Sequence, residues 1–203
     1  MDTVEGVRER KKRETRAAIS RVATLLFYER GFDAVTLDDV ARAARVSKMT
    51  VFNYFARKED LMFDREAEGM AQLRSTLEQR GRKSVLLALR EAAKQLETSQ
   101  SVFCKFDPSV LEFWQVVDAS SALRARLREL ADEARDLLVV HLSGQNADLV
   151  ASLLVAGWRA AYRAGLSAAR RGKSAKKCAA ELERVLEITF SAARVALRAG
   201  PDT

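Results

Sequence analysis

The sequence predicts an all-helical protein, and three observations carry that prediction. The chain of 203 residues is rich in charged residues (31%) and contains only two prolines that could interrupt helices. Apolar residues recur three and four positions apart, as at Ile19, Val22, Ala23 and Leu26. Serine, threonine and aspartate residues that begin helices, and glycines that end them, separate these stretches. With 48% hydrophobic residues, the chain can bury a real core.

The charge and the cysteine content bear on nucleic acid binding, metal binding and disulfide formation. A net charge of +7 is compatible with nucleic acid binding but does not by itself establish it. Cys104 and Cys178 lie far apart and the chain has one histidine, so we expect no metal site, no disulfide framework and free thiols in a reducing cytoplasm. No apolar signal segment or membrane span stands out. We expect no cofactor.

The first helix is expected from about Glu9 to Arg30, with Gly31 ending it. Its leading turns are strongly basic from Arg8 to Arg16. Two interpretations stay open for this segment: a solvated helix start, or an arm that lies on phosphates.

The segment from Thr36 to Lys58, TLDDVARAARVSKMTVFNYFARK, predicts two short helices joined by a tight turn. Thr36 and Asp39 form a capping box, Arg45 and Val46 make the turn, and Ser47 caps the second helix. At about 100° per residue, Val51, Phe52 and Phe55 share an arc that we expect to be buried. The opposite arc carries Met49, Thr50, Asn53 and Tyr54, whose groups suit base edges and phosphates.

Here the sequence resembles the TetR family of bacterial transcriptional regulators. The resemblance covers about Arg16 to Leu61 and includes the run LFYERGFDAVTLDDVARAARVSKMTVFNYF and the following KEDL. It implies a three-helix helix-turn-helix DNA-binding domain, a linking helix, a larger helical ligand-binding and dimerisation domain, and a homodimer on a palindromic DNA operator. We therefore expect a DNA-binding domain over residues 1–56 and an effector-binding and dimerisation domain over residues 57–203. The positions that match DNA-facing positions of the family are Thr36, Arg45, Ser47, Lys48, Met49, Thr50, Asn53, Tyr54 and Lys58.

Three residues depart from the family pattern. Arg45 stands where the turn usually has glycine, which places a cation near the backbone of DNA. Phe52 stands where tyrosine is common, so a hydroxyl that could reach phosphate is absent there. Arg57 replaces the serine or threonine that often caps the linking helix. These departures make the operator hard to infer from relatives.

The rest of the chain predicts further helices, beginning with a linking helix from about Arg57 to Gln79, and two sets of candidate residues. Asp107 and Pro108 begin one helix, and Asn146 is expected to cap another. Aromatic residues and one histidine predict a largely apolar effector pocket: Phe103, Phe106, Phe113, Trp114, His141, Trp158 and Tyr162. Small and apolar residues of the last two long helices predict, with the resemblance, a dimer interface: Leu153, Gly157, Ala161, Gly165, Leu182, Leu186 and Phe190.

The function that follows is a DNA-binding regulator, most simply a repressor released from its operator by a small molecule. An effector-independent regulator, or an activator that works through a protein partner, is the alternative. An enzyme is not expected, since the sequence contains no HExxH, GxSxG, P-loop or glycine-rich dinucleotide turn.

Overall fold

The computed structural model describes residues 4–98 and 106–199, and this part of the chain is helical with no strand. The bounds of its helices are α1 Val4–Arg30, α2 Leu37–Ala43, α3 Lys48–Tyr54, a 3-10 turn Glu59–Leu61, α4 Glu66–Glu78, α5 Val85–Thr98, α6 Pro108–Ala119, α7 Ser121–His141, α8 Ala147–Arg170 and α9 Ala175–Arg198. The expected all-α fold is confirmed. The first helix begins earlier than expected, at Val4.

The chain forms two compact units, each built from two separate stretches of sequence. The first unit combines the N-terminal part up to Ala67 with Glu112–Arg126, and the second combines Glu68–Leu111 with the chain from Leu127 onward. Polar contacts link the distant segment to the N-terminal part of the first unit. The hydroxyl of Ser120 donates to Asp33 Oδ1 at 2.8 Å, and Arg126 lies 3.3 Å from Asp60 Oδ1.

The core of the first unit consists of apolar side chains from α1, α2 and α3. Ile19, Ala23 and Phe27 on one face of α1 are almost fully buried, as are Val40 of α2 and Val51 of α3. The side chains recur at helical spacing on α1, and α2 packs against both α1 and α3. This packing fixes α2 and α3 in place without requiring either seven-residue helix to be stable alone.

The linking helix is shorter than predicted, because the segment after Arg57 first makes a 3-10 turn. The carboxylate of Asp60 accepts the backbone N–H of Arg57 at 3.1 Å, and Leu61 is completely buried. The hydroxyl of Ser20 donates to the carbonyl of Leu61 at 3.3 Å. The turn therefore anchors the chain to α1 before α4 begins at Glu66.

The second unit contains a tight antiparallel pair, α8 and α9, joined by the short connection 171–174. A Cβ built on Gly157 would lie 2.1 Å from Cγ2 of Thr189, so only glycine permits this approach. Asn146 does not cap α8 as predicted. Its amide instead donates to the carbonyls of Ala196 and Ala199 at 2.8 and 2.7 Å, which satisfies otherwise open groups at the end of α9.

Membrane spans, metal sites and disulfides each place requirements on the described residues. None of the helices over residues 4–98 and 106–199 combines the length and apolar character needed to cross a bilayer. The same residues contain no group of His, Cys, Asp and Glu side chains arranged to hold a metal ion. Cys178 is buried and forms no disulfide, whereas Cys104 lies outside the described residues.

Candidate nucleic-acid interface

The start of α2 is fixed by the capping box that the sequence predicted. The N–H of Thr36 donates to Asp39 Oδ2 at 3.0 Å, and the N–H of Asp39 donates to Thr36 Oγ1 at 3.2 Å. The hydrogen bonds from Thr36 hold the pKa of the Asp39 carboxyl below its ordinary value of 3.8. The Thr36 hydroxyl also donates to Asp39 Oδ2 at 2.6 Å, so Thr36 and Asp39 together set the direction of α2.

The turn after α2 has the hydrogen bonds of a Schellman motif. The N–H of Val46 donates to the carbonyl of Ala41 at 3.0 Å, and the N–H of Arg45 donates to that of Arg42 at 3.2 Å. Arg45 adopts φ 56°, the left-handed conformation that this position of the motif requires and that glycine normally supplies. Its side chain is exposed, so the strained position directs a cation toward solvent beside α3.

The recognition helix candidate, α3, begins at the residue that the sequence predicted. Ser47 Oγ accepts the N–H of Thr50 at 3.0 Å, which caps the helix. Lys48 Nζ lies 2.7 Å from Asp38 Oδ2, so an exposed ion pair joins α3 to α2. The two caps and this pair fix the orientation of α3 within the first unit.

The exposed face of α3 is wider and more apolar than predicted. Val51 and Phe55 are buried as expected, but Phe52 is 45% exposed, and its predicted burial is wrong. A seven-residue helix on this core buries only a narrow strip, and Phe52 lies about 100° around the helix from Val51. Phe52 thereby joins Met49, which is 67% exposed, and the exposed Asn53.

Two cations that border α3 are held inside the first unit. The guanidinium of Arg16 donates to the carbonyl of Tyr54 and lies 4.1 Å from the centre of the Phe55 ring. Lys58 Nζ donates to the carbonyl of Phe32 at 2.6 Å and lies 4.2 Å from the Phe32 ring centre. Burial lowers the pKa of Lys58. Lys58, which the sequence predicted to contact DNA, thus has its ammonium directed at Phe32 in the structure.

The aromatic residues predicted to line one pocket are divided between the two units. Phe106 packs on Tyr162, with ring centres 5.4 Å apart, in the second unit. Phe113 contacts Phe63 and Trp114 in the first unit, with ring centres 6.0 and 5.6 Å apart. The remaining members are dispersed or undescribed: Trp158 is half-buried on α8, His141 is the last residue of α7, and Phe103 lies outside the described residues.

The second unit contains a polar cleft of about 230 Å³ between α4 and α5. None of the predicted pocket residues lines it. Its walls carry amides, hydroxyls and charged groups, and their only apolar side chains are two alanines: Gln72, Ser75, Thr76, Gln79, Arg80, Lys83, Ala88, Glu91, Ala92 and Gln95. Lys83 and Glu91 form an ion pair at 2.5 Å. This lining does not match the apolar pocket that the sequence predicted.

The residues predicted to face a second subunit mostly face their own chain. Leu182, Leu186 and Phe190 of α9 and Ala161 of α8 are buried, and Gly157 contacts Thr189. The Phe106 ring fills the space beside Gly165, because a Cβ built on Gly165 would lie 2.3 Å from Phe106 Cζ. Leu153 alone of the predicted set is a half-buried apolar side chain. The small residues at four-residue spacing thus serve close packing within one subunit.

A different apolar surface is exposed on the same two helices. Ile188 and Val195 of α9 are 58% and 70% exposed, and Leu149 of α8 is 53% exposed. Ile188 and Ala156 each precede a member of the Gly157–Thr189 contact by one residue. In an antiparallel helix pair, the residues that precede the two contacting residues by one position point to the same side of the pair. The exposed residues of α8 and those of α9 therefore form one face.

Comparison with known proteins shows which domain the N-terminal part of the chain resembles. Residues 19–64, which span the C-terminal part of α1, the helix-turn-helix and the 3-10 turn, match the family model described as bacterial regulatory proteins, tetR family. The first unit therefore contains a helix-turn-helix domain of a transcriptional regulator. Through this domain, the chain is similar to the TetR family.

Two curated relatives match part of the chain. MftR of Mycobacterium tuberculosis, by name a mycofactocin biosynthesis transcriptional regulator, is 38% identical over 69 residues, or 34% of this chain and 35% of MftR. The HTH-type transcriptional regulator TcmR of Streptomyces glaucescens is 39% identical over 56 residues, or 28% of this chain and 25% of TcmR. The matches thus span about a third or less of these curated relatives.

Solved structures match over a much larger share of the chain. Thermus thermophilus FadR, a TetR family transcriptional repressor in complex with lauroyl-CoA, is 25% identical with a TM-score of 0.54, covering 93% of this chain and 98% of FadR. The SmeT–triclosan complex is 18% identical with a TM-score of 0.61, covering 88% of this chain and 91% of SmeT. The likeness to SmeT concerns the fold.

Proposed function

We propose that this protein is a transcriptional repressor that binds a palindromic DNA operator as a homodimer and is released by a small-molecule effector. The observation that carries the proposal is the exposed face of α3, which the caps at Thr36 and Ser47 hold outward. A rigid helix with hydrogen-bonding and apolar groups on one exposed side suits the major groove.

The exposed side chains divide into groups for phosphates and groups for bases. Asn53 can pair with the N6 and N7 atoms of adenine, which identifies that base. Arg45 and Lys48 are exposed cations suited to phosphates, which fix position without reading sequence. The exposed Lys48–Asp38 pair is weakly held, so a phosphate can replace Asp38.

The homodimer would use the exposed apolar stripe of α8 and α9. Its members from α9, Ile188 and Val195, are large apolar side chains in water, whose burial favours association. A two-fold pair of subunits would present two α3 helices to successive major grooves about 34 Å apart, and this matches a palindromic site.

The dimer is tested by light scattering on the wild type and two matched variants. The wild type is expected at about twice 22.6 kDa. Ile188→Glu introduces a charge into the apolar stripe and should shift the protein to the monomer. Arg194→Glu introduces the same residue at an exposed position on another side of α9 and should remain dimeric. A wild-type monomer, or equal loss in both variants, would contradict this interface.

DNA reading is tested by selecting bound sequences from a random duplex library. The expected result is an enriched palindrome whose half-sites are one helical turn apart. Asn53→Ala should reduce the preference for that palindrome over random DNA, whereas Lys48→Ala should weaken binding to both alike. Salt-sensitive binding without any enriched sequence would require withdrawal of the regulator assignment.

An effector that lowers DNA affinity 5- to 150-fold would need a coupling free energy of about 1–3 kcal/mol. The lauroyl-CoA bound to FadR supports ligand responsiveness in this fold. The cleft between α4 and α5 is the candidate site, and its lining favours a polar ligand, since an apolar one would leave amides unpaired.

The effector site is tested by thermal shift with gluconate, a polar acid, against decanoate, an apolar one. Gluconate is expected to stabilise the wild type and the Arg82→Gln control, whose altered residue lies outside the cleft lining, but not Arg80→Gln. Stabilisation by decanoate alone would favour an apolar site elsewhere. If no small molecule alters operator binding, the effector-independent alternative gains support.

A further inference from the structure

An apolar pair on the outer face of α3 has no covering partner among the residues that the structure describes. Met49 is 67% exposed and Phe52 is 45% exposed, although α3 has only seven residues. Residues three apart on a helix are neighbours, so the two side chains form one patch. Asn53 is four residues from Met49 and borders this patch.

The location of this patch indicates what covers it. The caps at Ser47 and Thr36 and the buried Val51 fix the helix so that Met49, Phe52 and Asn53 face the same way. A helix that brings Asn53 to a base edge in the major groove therefore brings Met49 and Phe52 to neighbouring bases. The C5-methyl group of thymine is the apolar group that the major groove displays.

Polar parts of DNA suit these two side chains poorly. Phe52 has no hydrogen-bonding atom, and the Met49 thioether is only a weak acceptor. Against phosphates they would remove water without replacing its hydrogen bonds. Against a thymine methyl, they bury apolar surface on both sides of the contact.

We propose that Met49 and Phe52 determine operator specificity by packing on thymine methyl groups next to the adenine that Asn53 contacts. This inference rests on the proposed DNA-binding function and extends it to a particular base. Burial of one methyl group corresponds to about a fourfold change in affinity. A dimer with one such contact in each half-site would therefore bind about 15-fold more weakly when both methyls are removed.

The first test is a pair of selections with the full-length protein, from random duplexes containing either thymine or uracil. Uracil pairs like thymine but lacks the methyl group. The expected result is an enriched palindrome in the thymine library and weaker binding of its uracil counterpart. The same sequence enriched with equal affinity in both libraries would overturn this inference and leave the regulator proposal intact. No enrichment in either library would overturn both.

The second test assigns the methyl contact to its residues. Single uracil substitutions along the enriched half-site should locate the sensitive thymine, and 5-methylcytosine in place of cytosine at that position should restore part of the affinity. Phe52→Ala and Met49→Ala should bind thymine and uracil duplexes almost equally. Leu25→Ala removes an apolar side chain of α1 that is 56% exposed, and it should keep the full thymine preference.

Each outcome of the second test bears directly on the inference. Because Phe52 and Met49 are exposed, their replacement should leave the fold intact, which circular dichroism checks. If both alanine variants keep the wild-type ratio of thymine to uracil affinity, the patch does not read methyl groups. If Leu25→Ala loses the ratio equally, the effect is not specific to α3.

Discussion

Arg45, at φ 56° in the turn of the helix-turn-helix, has a strained backbone and a positive charge. Two substitutions distinguish the effect of the strain from the effect of the charge. Arg45 occupies the left-handed position of a Schellman motif. For a residue with a Cβ this conformation costs about 1–2 kcal/mol. Glycine removes that cost but loses about 0.5–1 kcal/mol more backbone entropy on folding. Arg45→Gly should therefore raise the free energy of unfolding by about 0.5–1 kcal/mol.

Arg45→Ala is the matched variant, because it removes the same charge and keeps the strained backbone. Its stability should stay within about 0.5 kcal/mol of the wild type. Urea unfolding followed by circular dichroism measures both differences, and the expected gain of the glycine variant shifts the midpoint by roughly 0.3 M.

DNA binding by the same two variants reports on the charge alone. If Arg45 neutralises a phosphate, both variants should bind DNA equally weakly, and the slope of log K against log salt should become shallower by about 0.9 for each phosphate left without its cation. A glycine variant that is no more stable than the alanine variant would refute the backbone argument. Unequal DNA affinities would show that the turn geometry, rather than the charge, supports binding.

Three further predictions concern other residues. Arg126→Met leaves the largely buried Asp60 without its cation and should lower the free energy of unfolding by about 3 kcal/mol in urea titrations, whereas an effect under about 0.5 kcal/mol would make the pair incidental. Gly165→Ala places a Cβ 2.3 Å from Phe106 Cζ and should destabilise by about 1–3 kcal/mol by the same assay, unless the ring moves freely. The lowered pKa of Asp39 means that its contribution is complete above about pH 3.8 and is lost as pH falls through its lower folded pKa. The stability difference between wild type and Asp39→Asn, measured by urea unfolding from pH 6 downward, should accordingly disappear in acid, and a constant difference would contradict this assignment.

The local structure of the helix-turn-helix could be predicted from the sequence because its determinants are near neighbours. Thr36 with Asp39, and Ser47 with Thr50, form caps within four residues, and the structure contains both. The site residues next to these caps are correspondingly well defined on α3. The burial of Phe52 could not be predicted correctly, because helical periodicity gives directions around a helix but not the width of the strip that neighbouring helices cover.

The sequence by itself determined the helical class, the caps and the family of the N-terminal domain, since these depend on short-range spacing. Only the tertiary structure decided which small residues face which neighbour. Gly165 receives Phe106, which is 59 positions away, and Gly157 receives Thr189. A stripe of small residues permits close approach by any helix, so periodicity cannot distinguish packing within one chain from packing between two. That choice depends on long-range contacts, which bury Leu182 and leave Ile188 in solvent.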